Sequence, residues 1–178
     1  WPCPYIMARN SRGEHPCTVP NTANPSNTNR PEYTLYIDEC GNHDLYSARE
    51  RYLGLTGVIC ERRYVATEIA PSMEALKRCF WPDPSTGAVV LHRKDIVTRR
   101  GPFGVLNDVT VQARFDEELL GLLARWNYTV LSVVIDKHAH RERYARPYHP
   151  YHYCLNILLE RYVGFLRHVS QRGNVLAE

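Results

Sequence analysis

The chain has 178 residues, 44% of them apolar, and a formal net charge of +3. That length favours one domain with a real core, and a charge this mild permits a polyanionic partner without demanding one. No apolar run reaches the roughly 18 residues of a membrane span, and the N-terminus lacks the basic, apolar, small-residue order of a secretory signal; the expected location is cytoplasmic, with no membrane partner.

Residues 1–31 differ from the rest. Cys17 to Pro31 is rich in Pro, Asn, Thr and Ser and has almost nothing to bury, so this stretch reads as a disordered or non-native N-terminal extension. The domain is expected over 32–178. Tyr33 to Asp38 is β-prone and stops at Gly41-Asn42; Tyr52 to Cys60 reads as a second strand, and the turn residues between them predict a hairpin. Val65, Ile69, Met73, Leu76 and Phe80 recur at helical spacing, and Pro82 and Pro84 end that helix. Ala88 to Leu91 has the character of a short strand, and His92 to Val97 that of a short helix or turn.

After a loop at Gly101-Pro102 and Gly104, Asp108 or Thr110 caps a helix whose apolar face is Val111, Phe115, Leu119, Leu122 and Trp126. Thr129 to Ile135 is a nearly continuous β-branched run, the pattern of a strand buried on both faces. Lys137 to Pro150 is polar and reads as a loop. Pro150 opens a last helix, Gly173 is its natural stop, and Asn174 to Ala177 starts a strand. The cysteines form no close pair; Cys60, Cys79 and Cys154 lie in apolar patterns and read as buried free thiols.

The chemistry is expected at strand ends. One strand ends Tyr-Ile-Asp38 and is followed by Glu39; another ends Val-Ile-Asp136 and is followed by Lys137; the last runs Leu-Ala-Glu178. In neighbouring parallel strands such ends lie about 5 Å apart, at the edge where open α/β sheets bind ligands. Three carboxylates gathered there repel one another unless a cation binds or one is protonated. Mg²⁺ suits such oxygen ligands. The alternative is that these acids are turn formers.

His92 is a candidate proton shuttle or water-orienting group, against a surface histidine capping a short helix. Lys137 is a candidate phosphate contact, against a solvated lysine. His138, His140, His149 and His152 resemble a zinc set by spacing, but they lie among Arg141, Arg143 and Arg146. Tyr144, Tyr148, Tyr151 and Tyr153 interleave with these charges, which fits phosphate and base contact better; the plain alternative is a solvated loop with its tyrosines on the core. Arg93-Lys94 and Arg99-Arg100 form a second basic patch. Adjacent carboxylates argue against Cys40 as a nucleophile, and no nucleotide-binding glycine loop or serine elbow is present.

Taken in order, YIDECGN (36–42), VLHRKDI (90–96), GPF (101–103), VVIDK (133–137), LLERY (158–162) and NVLAE (174–178) resemble the family called domain of unknown function 3800, over nearly all of 33–178. The resemblance implies a ribonuclease H-like α/β fold, a mixed sheet flanked by helices. It also implies a nuclease that cleaves nucleic-acid phosphodiesters with Mg²⁺ or Mn²⁺, in a one- or two-metal site. By resemblance the site residues are Asp38, Glu39, His92, Asp136, Lys137 and Glu178, with Asp38, Asp136 and Glu178 on the metal. Cys40 stands where the family has Ser, and Asn42 where it has an acid. The family continues beyond the position of Glu178, so the domain is expected to be incomplete at its C-terminus. The rival expectation is a non-catalytic module of the same fold that binds nucleic acid or protein.

Overall fold

The computed structural model describes residues 6–10, 32–47, 49–83 and 87–177, the first stretch by its backbone alone. Strands β1 (Ile6–Asn10), β2 (Tyr33–Cys40) and β3 (Tyr52–Glu61) lead into a helical run made of α1 (Arg62–Tyr64), a π-helical turn over Val65–Ile69, and α2 (Ala70–Phe80). Then come α3 (Arg93–Thr98), a 3-10 stretch over Gly101–Asn107 and α4 (Val109–Arg125). The chain finishes with β4 (Thr129–Asp136), α5 (Lys137–Arg143), α6 (Pro150–His168) and β5 (Gly173–Ala177). These elements divide into two compact units, 1–63 with 127–178, and 64–126.

The larger unit is mixed α/β. Its sheet has the order β1-β4-β3-β2-β5. The expected hairpin is there: β2 pairs antiparallel with β3, and β3 antiparallel with β4, while β5 lies parallel to β2. β1 adds an antiparallel edge beside β4, a strand not anticipated by setting residues 1–31 aside; residues 11–31 lie outside the described residues. One face of the sheet carries Leu35, Ile37, Leu53, Leu55, Ile59, Leu131, Val133 and Ile135, packed with Cys154, Leu158 and Tyr162 of α6. Each large side chain enclosed there contributes roughly 2 kcal/mol relative to exposure.

Three expectations change in this unit. β4 is not buried on both faces: Leu131, Val133 and Ile135 point to the core while Val134 is 40% exposed, the alternation of an antiparallel strand covered on one side. Residues 137–143 are a helix rather than a loop, because Asp136 caps it: its Oδ1 accepts from the backbone N–H groups of His138 and Ala139 at 3.0 and 3.3 Å. Its buried side chains are Lys137 and His140, a polar stripe that apolar periodicity does not reveal. Finally, α6 stops at His168, before Gly173. Ser170 takes the left-handed conformation, φ 53°, and Gln171 N–H closes back on Leu166 O at 3.0 Å. Gly173 opens β5 instead, and there the Tyr162 hydroxyl fills the space a side chain would need.

The smaller unit is helical in its regular elements, and among its described residues there is no strand. Residues 88–91 are irregular, because a short β-prone run without a sheet to join has nothing to satisfy its backbone. Asp108 caps α4, accepting from Thr110 N–H at 2.8 Å and Val111 N–H at 3.2 Å, as the spacing predicts. Phe80 and Phe115 meet edge to face at 5.2 Å between ring centres, and Trp81 meets Phe103 at the same separation. Trp126 Nε1–H reaches Ser72 Oγ at 3.0 Å, tying the end of α4 to α2.

Candidate functional site

The carboxyl ends of β2 and β4 lie along the same edge of the sheet, because both strands run antiparallel to the β3 between them. They are not neighbours and not level. Asp38 pairs with Thr56, and Thr56 with Ser132, so Asp136 stands four residues further along β4. Four rises of ~3.3 Å and two strand spacings of ~4.8 Å separate the two backbone positions by roughly 16 Å. Asp38 and Asp136 therefore do not share one metal ion, which corrects the expectation of adjacent strand ends.

Asp38 lies in a groove of about 610 Å³ lined by Tyr36, Asp38, Cys40, Thr56, Val58 and Leu176 among others. Tyr36, Asp38 and Cys40 alternate on the sheet face opposite the α6 core. Glu39 N–H donates to Asp38 Oδ1 at 2.9 Å. On the groove floor the hydroxyls of Thr56 and Ser132 meet at 2.9 Å. β2 continues two residues past Asp38, so the Asp38-Glu39-Cys40 segment is still strand, with Asp38 and Glu39 on opposite faces. Both carboxylates are exposed, and among the described residues neither is in an ion pair.

The other strand end is fully engaged. Asp136 Oδ2 accepts from Arg51 Nη2 at 2.5 Å and from Arg51 Nε at 2.9 Å, while Oδ1 caps α5. The Arg51 hydrogen bond, joined by those from Ala139 and His138 N–H, holds the Asp136 carboxyl below the usual carboxylate value; partial burial works against them. Lys137 is wholly enclosed. Its Nζ donates to Asp44 O at 2.8 Å, Asn42 Oδ1 at 2.9 Å and Asn42 O at 3.0 Å. That uses all three ammonium protons. Lys137 is thus neither the phosphate contact nor the solvated lysine of the sequence reading; it fastens the β2–β3 loop.

The same contacts explain position 42. Its side chain faces the Lys137 ammonium, not a metal, so an amide oxygen serves there in place of a carboxylate. Gly41 makes the turn possible: its φ is +97°, and a Cβ would stand 2.6 Å from Tyr52 O. The Asp44 carboxylate caps its own turn through Tyr46 N–H at 2.9 Å.

His92 belongs to the smaller unit, as the residue before α3. Its ring is 61% exposed, with Nδ1 3.8 Å from Asp95 Oδ2. Glu178 lies outside the described residues. Among the described residues no group of three His, Cys, Asp or Glu side chains is disposed to hold a metal ion.

The histidine set also divides. His140 is buried, its Nε2 2.9 Å from Tyr148 O, and packs against Tyr144 and Tyr153 at 5.0 Å each. His149 and His152 are joined instead by His43. Of the interleaved tyrosines, Tyr148 is 69% exposed. Cation–aromatic pairs form between sequence neighbours, Arg143 over Tyr144 at 5.9 Å and Arg51 over Tyr52 at 5.4 Å, and also between distant segments, Arg141 over Tyr46 at 5.5 Å. Arg51 and His43 were not singled out from the sequence, and Asn42 only as a departure from the family pattern, not as the partner of Lys137. All three sit in the β2–β3 connection, and their partners are some 85 to 110 residues away, so no local pattern marks them.

Cys60 and Cys154 are buried and free, and burial pushes each thiol up to about 11; Cys79 is exposed, against expectation.

Fold and groove together define a mixed α/β protein with carboxylates at the edge of a one-sided sheet. No family model matches the chain, and no curated protein or solved structure resembles it significantly. Among the described residues no helix is long and apolar enough to cross a membrane.

Proposed function

We propose that the larger unit is a ribonuclease H-like domain of the family called domain of unknown function 3800, and that it hydrolyses nucleic-acid phosphodiesters with Mg²⁺ or Mn²⁺. The observation that carries this reading is the strand order: an antiparallel β4-β3-β2 meander with β5 parallel beside β2, and Asp38 exposed in the groove between β2 and β5. Ile37 pairs with Ala177. Carboxylate oxygens of this kind suit Mg²⁺, which is held by one or two carboxylates together with substrate phosphates.

In this reading Asp38 and Glu178 hold the metal, and Glu39, whose side chain leaves the opposite face of β2, does not. Asp136 and Lys137 support the site by shaping the neighbouring loop. A bound divalent cation supplies water activation and offsets charge building on phosphorus. Tyr36 and Leu176 give the groove an apolar wall against which a base or sugar can lie.

The test is cleavage of labelled DNA and RNA with Mg²⁺ or Mn²⁺. Asp38→Asn and Glu178→Gln should each reduce the rate by more than ~100-fold, the upper end of what loss of a ligand's supporting partner costs, while Asp136→Asn reduces it far less. Absence of metal-dependent cleavage by the unsubstituted protein overturns the reading.

The exposed pairs Arg141–Tyr46 and Arg51–Tyr52 favour a second reading, a binding module for single-stranded nucleic acid, since such faces stack on unpaired bases. It predicts salt-sensitive binding in fluorescence anisotropy that Tyr46→Ala and Arg141→Ala weaken and Asp38→Asn does not.

A further inference from the structure

Three imidazoles meet where the β2–β3 loop touches the start of α6. His43 and His149 lie with ring centres 5.3 Å apart, and His149 and His152 4.8 Å apart. They come from two segments of the chain. Lys137 grips the carbonyls of Asn42 and Asp44 on either side of His43. His149 is the N-cap of the 19-residue α6 and His152 is in its first turn.

We propose that His43, His149 and His152 form a proton-operated clasp, closed while the His149 ring is neutral and opened when it becomes imidazolium, that fastens the β2–β3 loop to the start of α6. The inference does not depend on the nuclease reading, although the loop it governs follows directly on Asp38-Glu39-Cys40.

The physical case is the lack of compensation. Neutral rings tolerate these tilted contacts, whereas an imidazolium at His149 meets two further imidazoles and no counter-charge. The N-terminus of a long helix is its positive end and adds to the penalty. The groups facing His149 are His43 from the loop and His152 from α6, with Tyr151 against the latter at 6.1 Å. From α5, the Lys137 ammonium, also positive, holds the carbonyls on either side of His43. Among the described residues no carboxylate pairs with any of the three rings. Burial first, then His152 and His43, hold the His149 ring below its ordinary value of 6.5. With the folded value depressed, the clasp is fully effective above about 6.5 and is lost as the pH falls through the lower folded value.

The experiment combines imidazole proton NMR with amide hydrogen exchange over residues 42–47, between pH 7.5 and pH 5. It uses the full chain and the variants His43→Asn, His149→Asn and His152→Asn, each first checked by circular dichroism at pH 7.5. His149 should titrate below the ordinary value and return toward it in His43→Asn and in His152→Asn. Exchange at 42–47, corrected for its intrinsic pH dependence, should rise about tenfold on acidification, equivalent to ~1.4 kcal/mol of lost closure, and this rise should vanish in His149→Asn. The clasp is overturned if His149 titrates identically with and without its neighbours, or if corrected exchange at 42–47 is the same at both ends of the range. Because the three positions are exposed and substituted independently, failure of one variant to fold leaves the other two to decide.

Discussion

The ends of β2 and β4 begin alike, each with Ile-Asp, and end in opposite conditions. Asp136 has every oxygen committed, to Arg51 and to the α5 N-terminus, and the residue after it is enclosed by the fold. Asp38 bonds to the next N–H in its own strand and otherwise faces an open groove. A carboxylate saturated by donors is serving the fold; one that meets only its own backbone is available to a ligand. The Ile-Asp pattern alone does not distinguish them.

Four substitutions bear on this contrast. Lys137→Met should have the largest effect on stability, on the order of 3–5 kcal/mol, because it leaves buried carbonyl oxygens without a donor. Urea unfolding measures it, and a change under ~1 kcal/mol would mean that the lysine is not sealed in the fold. Gly41→Ala should cost about 1–2 kcal/mol, from the positive φ and the close Tyr52 carbonyl, with a lowered melting temperature as the readout.

Asp136→Ala should cost about 1 kcal/mol through the lost cap. The pH dependence carries a sign. The folded Asp136 carboxyl sits below its ordinary value of 3.8; its contribution is complete above 3.8 and disappears as the pH falls through the depressed value. Stability curves of the protein and of Asp136→Ala should therefore converge in acid; parallel curves down to pH 2 would show that the Arg51 pair does not form in solution. Smallest of all, Asp38→Asn should change stability by no more than ~0.5 kcal/mol while abolishing any metal-dependent activity. A large loss of stability there would make the two strand ends equivalent after all.

Much of the architecture could be read from local pattern. Alternation and turn residues marked β2 and β3, the spacing of Val111, Phe115 and Leu122 marked α4, Asp108 marked its cap, and Pro150 marked the start of α6. What failed had a common cause. The run Thr129–Ile135 looks equally apolar whether one or both faces are covered, and only the burial of its neighbours shows that Val134 is outside. Lys137-His-Ala-His looks like a loop because the side chains it buries are polar. Ala88–Leu91 has strand character but no sheet within its own unit to join.

The candidate site divides along the same line. Sequence by itself determined the chemistry on offer: carboxylates after β-branched runs, a lysine after one of them, and histidines near the start of the last helix. These are properties of residue type and short spacing, and they survive any packing. The tertiary structure decided which of them act together, because that depends on register. With β3 between β2 and β4, and a four-residue offset, Asp136 is carried away from Asp38 and into reach of Arg51. The fold of the β2–β3 loop brings Asn42 to Lys137 and His43 to His149. Contacts between residues so far apart in the chain are set by strand pairing and loop closure, which no short window of sequence contains.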